Sequence, residues 1–127
     1  MRREIHLWWE QAKKDFSVAE KMFNEKEYYM VAFLCHEAIE KSLKALYLRK
    51  KSSSAGFTHS LLALGKSLGA SDSIIRKLRD FSMDYLMSRY PDATDELPYK
   101  IYDEKMATER LEGAREVLNW VEKELKL

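Results

Sequence analysis

A chain of 127 residues with a hydrophobic fraction of 46% can bury one compact core and is too short to expect two. Its 22 Lys plus Arg meet 21 Asp plus Glu, and a net charge of +1 excludes a protein that coats nucleic acid by bulk electrostatics. The single cysteine, Cys35, has no internal disulfide partner, and Glu10 and Lys13 interrupt the basic start MRREIHLWWEQAKKD before a signal peptide or membrane span takes shape, so one soluble, cytoplasmic domain over residues 1–127 is expected.

The first element is a helix from about Glu4 to Glu25, in which Trp8, Ala12, Phe16, Ala19 and Phe23 follow three- and four-residue steps and Ile5, Trp9 and Met22 widen the stripe. Trp8 and Trp9 beside Lys13 and Lys14 also fit a helix lying on a membrane surface. A core face with a solvated back is the better reading, because the rest of the chain needs packing partners. Asn24 to Tyr28 is a short connection, so the first two helices are expected to be antiparallel neighbours.

The second helix, Tyr28 to Lys51, is the centre of the chain. It contains no Gly or Pro, and Ala32, His36, Ile39, Leu43 and Leu46 share one face. The next stripe round, Val31, Cys35, Ala38, Ser42 and Ala45, is small enough for another helix to approach closely. Only the third stripe, with Glu37, Glu40 and Lys44 between Phe33 and Tyr47, is strongly polar. A helix apolar over so much of its circumference has to be covered on several sides, by its own chain or by a second copy.

The Ser-rich stretch SSSAGFTHS ends that helix and forms a loop. Thr58 is the expected N-cap of a short helix from Ser60 to Leu68, which Gly69 closes. Ser71 caps a fourth helix, expected to run unbroken from Asp72 to Arg89 with Ile74, Ile75, Leu78, Phe81, Tyr85 and Leu86 inward. RYPDATDELPY holds both prolines, Pro91 and Pro98, and cannot continue it. Asp103 caps a last helix to about Lys126, with Gly113 marking a close helix contact. No strand-like alternation is present, which predicts an all-α fold: an up-and-down bundle of four long helices plus one short helix.

The sequence has no phosphate-binding glycine loop, no CxxC pair, no HExxH helix and no nucleophile elbow. His36 and Glu40, one turn apart, are half of a metal site at most, and the Glu-then-His order of a bundle di-iron centre is missing. No metal and no cofactor are expected. The residues that a bundle brings together are Glu40 and Lys44, His59 after the Ser-rich loop, and Arg89 with Asp92 at the end of the fourth helix. Arg89 offers a planar fork for phosphate or carboxylate, and His59 is a side chain that can titrate near neutrality. A purely structural role is open too, with Arg89 paired to Asp92 or Glu40 and His59 capping its neighbour.

HEAIEKSLKALYL on the second helix, THSLLAL after the loop and SRYPDA with the helix that follows resemble the HEPN domain (higher eukaryotes and prokaryotes nucleotide-binding) over nearly the whole chain. The resemblance implies a helical bundle, usually a homodimer, often encoded beside a small nucleotidyltransferase with which it forms a toxin and antitoxin pair or a regulatory complex. Many members resemble metal-independent ribonucleases whose motif is an Arg, four to six residues, then a His, set at the dimer interface. Arg89 matches the arginine, but Tyr90 to Leu97 contains no histidine. A ribonuclease without metal needs a base for the 2′-hydroxyl, and a guanidinium does not readily take a proton.

Three readings follow. The first is a non-catalytic HEPN-like homodimer that binds a nucleotide or a nucleotidyltransferase partner through Glu40, Lys44, His59, Arg89 and Asp92. The second is a ribonuclease toxin in which His59, or a tyrosine such as Tyr90, Tyr99 or Tyr102, works with Arg89. The third is a structural adaptor whose only function is helical association.

Overall fold

In a computed structural model, residues 2–56 and 58–126 are described. They form α1 (Arg2–Asn24), α2 (Tyr28–Lys51), α3 (Leu61–Ser67), α4 (Asp72–Phe81), α5 (Asp84–Met87), a 3₁₀ turn (Pro91–Ala93), α6 (Pro98–Ile101) and α7 (Glu104–Leu125), with no strand among the described residues. The fold is all-α.

Helix α2 is the axis. It packs against α1, α3, α5, α6 and α7, while α4 closes the bundle between α3 and α7. Both of its predicted stripes are covered: Ala32, Ile39, Leu43 and Leu46 on one, Val31, Cys35, Ala38, Ser42 and Ala45 on the other, all fully buried. The small second stripe gives α1 and α7 a close seat, where ridges settle into shallow grooves. The α1–α2 reversal takes only Glu25, Lys26 and Glu27, with Lys26 in the left-handed region at φ 62°. Helix α1 is turned slightly from its expected face: Ile5, Trp9, Ala12 and Ala19 are buried together with Asp15, while Trp8, Phe16 and Phe23 are partly covered.

Two boundaries depart from the sequence reading. Ser60, not Thr58, caps α3, accepting a hydrogen bond from the Ala63 amide at 3.2 Å, while the Thr58 hydroxyl accepts from the Ser60 amide one turn earlier. The expected helix from Asp72 to Arg89 is broken at Ser82 and Met83 and resumes as α5, although both residues keep right-handed helical backbone angles. The break turns Leu86 outward, 51% exposed rather than inside. Asp84, three residues after the buried Phe81, is buried as well. Ser71 and Asp103 cap α4 and α7 as expected, through bonds to the Ile74 and Met106 amides. Gly113 does mark a close approach: a Cβ there would lie 3.2 Å from the Phe81 ring.

Among the described residues, no helix is long and apolar enough to cross a membrane.

Candidate functional site

The polar stripe of α2 is where the chemistry gathers. Its spacing puts His36, Glu37, Glu40, Lys41 and Lys44 on adjoining turns, and the helices packed over it add Asp15 from α1, His59 from the segment before α3, and Tyr85 and Arg89 from α5 and its end.

Glu40 is the hub of one half. It is 6% exposed, and its two oxygens are divided between His59 Nδ1 at 3.0 Å and Lys44 Nζ at 3.0 Å. Burial by itself would raise the Glu40 carboxyl, but the hydrogen bonds from His59 and Lys44 and the charge of Lys44 outweigh it and hold the group below its ordinary value. An ionised carboxylate only accepts, so the His59 Nδ1–H donates and Nε2 points away, on a ring whose side chain is about half exposed. The ammonium of Lys44 also lies 5.6 Å from the centre of the Trp8 ring. Thus the sequence-picked residues Glu40, Lys44 and His59 do meet.

Arg89 anchors the other half. Its guanidinium donates to the Tyr85 carbonyl at 2.8 Å and to Glu37 Oε1, and its centre rests against the rings of Phe33 (4.3 Å) and Tyr85 (4.2 Å). The carboxylate it selects is Glu37, rather than Glu40 or Asp92. Asp92 sits exposed on the 3₁₀ turn and forms no ion pair among the described residues. The second oxygen of Glu37 accepts from Lys41 at 3.2 Å, and Lys41 donates in turn to Asp15 at 2.5 Å. Burial opposes the charge on Lys41, but Asp15 and Glu37 more than compensate and raise its pKa. Three carboxylates, Asp15, Glu37 and Glu40, therefore neutralise three cations, Lys41, Lys44 and Arg89.

Tyr85 joins the halves. The His59 ring stacks on it with centroids 4.7 Å apart, while Arg89 lies against the same ring. His36 is buried next to them, 5.5 Å from Tyr85 and 4.0 Å from Glu40 Oε1, and its Nδ1 has no hydrogen-bond partner among the described residues. Burial first, then the neighbouring Arg89 charge, lower its pKa to about 4, so it is neutral at physiological pH. Glu37, Lys41, Asp15, Tyr85 and His36 are the members that reading the sequence did not assign to the site. Glu37 and Lys41 were visible on the polar stripe; Asp15 was visible as an acid on the inner arc of α1.

Among the described residues, no group of three or more His, Cys, Asp or Glu side chains is arranged to hold a metal ion. Next to Arg89 opens a groove of about 430 Å³, walled by Tyr29, Pro91, Leu97, Pro98 and Tyr99.

A sequence profile of the HEPN domain matches residues 5–124. The chain belongs to the HEPN family. Solved structures give the same picture. TT1696 from Thermus thermophilus superposes with a TM-score of 0.89 at 27% identity, over 98% of this chain and 100% of that one. ST0689, an archaeal HEPN homologue, gives a TM-score of 0.79 at 27% identity, over 95% of this chain and 97% of that one. No curated protein matches the chain.

Proposed function

We propose that this HEPN protein is a non-catalytic, homodimeric cytoplasmic module that binds a nucleotide or a small nucleotidyltransferase partner, as a regulatory or toxin–antitoxin-like pair, through the face built on Arg89, Glu40, Lys44 and His59. The observation that carries it is the state of Arg89. The guanidinium is oriented by the Tyr85 carbonyl, two aromatic rings and Glu37, which suits recognition of a planar anion, whereas Tyr90 to Leu97 supplies no base beside it. A charge-balanced network that is mostly buried holds geometry well and moves protons poorly.

Purified protein should leave RNA intact, elute as a dimer, and lose affinity for nucleotide or partner in Arg89→Ala and Lys44→Ala. Wild-type binding by both variants would remove the assignment.

One arrangement favours the ribonuclease reading. Glu40 orients the His59 ring through Nδ1 and leaves Nε2 toward solvent, as a carboxylate does for a general base, and both His59 and Arg89 lie against Tyr85. Growth arrest on expression, relieved by His59→Ala and by Arg89→Ala, would establish it over the binding module.

A further inference from the structure

One carboxylate oxygen in the bundle has two imidazoles beside it and serves only one of them. Glu40 Oε1 accepts from His59 Nδ1 at 3.0 Å, while His36 Nδ1, one turn earlier on α2, stops 4.0 Å from the same atom. The His36 ring is 1% exposed, and that nitrogen has no hydrogen-bond partner among the described residues. A buried polar atom without a partner is uncommon and calls for a physical cause. Here the cause is a lone pair facing a carboxylate: a neutral imidazole with its proton on Nε2 has only an acceptor at Nδ1 and nothing to offer Oε1. We propose that Glu40 Oε1 is a two-position latch, which holds His59 and the start of α3 while His36 is neutral and turns to His36, releasing them, once that ring is protonated.

The exchange is a small movement. His36 and Glu40 stand four residues apart on one helix, so closing the gap needs only side-chain torsions. Lys44 holds the second oxygen, Oε2, at 3.0 Å, so the carboxylate keeps a cation throughout. His59 is the partner that can leave. Its side chain is 52% exposed and water can take over its ring N–H, whereas a charged His36 has no comparable access to solvent. Even with both rings cationic, the buried one therefore has the stronger claim on the shared oxygen. The charged and titratable groups that bear on His36 come from three places, Arg89 beyond α5, Glu40 on its own helix and His59 before α3, and Lys44 joins them at Glu40. Burial first, then the Arg89 charge, keep the ring neutral until the pH falls to about 4, which leaves the latch closed at neutrality and opens it in acid. Tyr85 has the His59 ring stacked at 4.7 Å and the His36 ring at 5.5 Å, so opening the latch uncovers the aromatic face that neighbours Arg89.

The experiment is amide exchange at Ala63 and Leu64, whose N–H groups bond to the Ser60 hydroxyl and carbonyl in the first turn of α3, read by NMR in the full-length chain alongside the histidine ring nitrogens. Relative to amides in the middle of α7, their protection should fall about fivefold over the pH range in which His36 takes up its proton. His36→Gln puts an amide N–H donor beside Oε1 at every pH, so the lowered protection should be present already at pH 7. His36→Leu offers no donor; it should match wild type at pH 7 and lack the step in acid. Wild-type protection at pH 7 in His36→Gln overturns the latch, and this comparison needs no acid, so it decides the matter even where the chain unfolds before His36 titrates. An unchanged acid step in His36→Leu also overturns it, by assigning the release to protonation of Glu40 itself, and this arm decides if the glutamine variant does not fold.

Discussion

The molecule holds two clusters of buried charge, and they are built on opposite plans. At the junction of α5, α6 and α7, Asp84 is 1% exposed and has dedicated donors: the Tyr102 hydroxyl at 2.7 Å and Arg110 Nε at 2.6 Å. Burial pushes the Asp84 carboxyl up, against the opposing pull of the Arg110 charge and the hydrogen bonds from Arg110 and Tyr102; the same burial and the Asp84 charge push the Tyr102 hydroxyl up. Each group there has one arrangement. Along the polar stripe of α2, by contrast, Glu37, Glu40 and Lys41 each serve two partners, His59 is half open to water, and a groove reaches Arg89. A cluster whose donors all converge on one fully buried acceptor fixes a fold, and one in which Lys41 bridges two carboxylates and His59 stands half in water can exchange partners for a ligand.

The contrast is tested most severely by Asp84→Ala. It leaves the partly buried Arg110 without its ion-pair partner, and about 3–5 kcal/mol should disappear from urea unfolding. A double change of Asp84→Leu with Arg110→Met should recover much of that, because an apolar pair has no charge to strand. If the single variant unfolds like wild type, the cluster is not a structural clamp.

His36 gives the next largest effect and lies buried beside the stripe, 4.0 Å from Glu40. Its pKa in the fold is about 4, against 6.5 for a free imidazole. Between those values the unfolded chain takes up a proton that the folded chain refuses, so stability falls as the pH is lowered from about 6.5 to 4 and this contribution levels off below that. The shift corresponds to about 3 kcal/mol. His36→Leu should flatten that portion of the pH profile of the melting temperature and cost little at pH 7, since Nδ1 has no bond to lose. Glu40, whose pKa is depressed, adds a loss at still lower pH, as its carboxylate is protonated below its ordinary value of 4.5.

Glu40→Gln keeps the volume and removes the charge on which His59 and Lys44 converge. A loss of about 2 kcal/mol is expected, with faster amide exchange at Ala63 and Leu64, because His59 no longer ties the start of α3 to α2. Tyr102→Phe removes one hydrogen bond from Asp84 and leaves Arg110, so it should cost about 1 kcal/mol and leave nucleotide or partner binding unchanged. A binding defect in Tyr102→Phe would show that the two clusters are coupled through α5, which carries Asp84 in its first turn and leads into Arg89.

The legibility of the two clusters differed for a physical reason. Glu40, Lys44, His59 and Arg89 stood out because they interrupt apolar helix faces or follow breaks in the chain. Asp84 did not stand out because its partners, Tyr102 and Arg110, lie 18 and 26 positions away and reach it only in the folded chain. Arg110 was readable in hindsight, as a charge between the buried Ala107 and Ala114 of α7. The choice of Thr58 over Ser60 as cap failed because both are hydroxyl residues two positions apart, and backbone geometry decides between them.

By itself the sequence determined the long helices α1, α2 and α7, the caps at Ser71 and Asp103, and the central place of α2, because helical period, capping and burial demand are set by residues a turn or so apart. It also determined that no histidine follows Arg89 within its loop. Only the tertiary structure decided that Arg89 takes Glu37 rather than Glu40 or Asp92, that His59 and Arg89 share the ring of Tyr85, and that Asp84 is inside. Those choices join residues up to 52 positions apart, and a charge selects among distant partners by distance and desolvation, which exist only once the helices have packed.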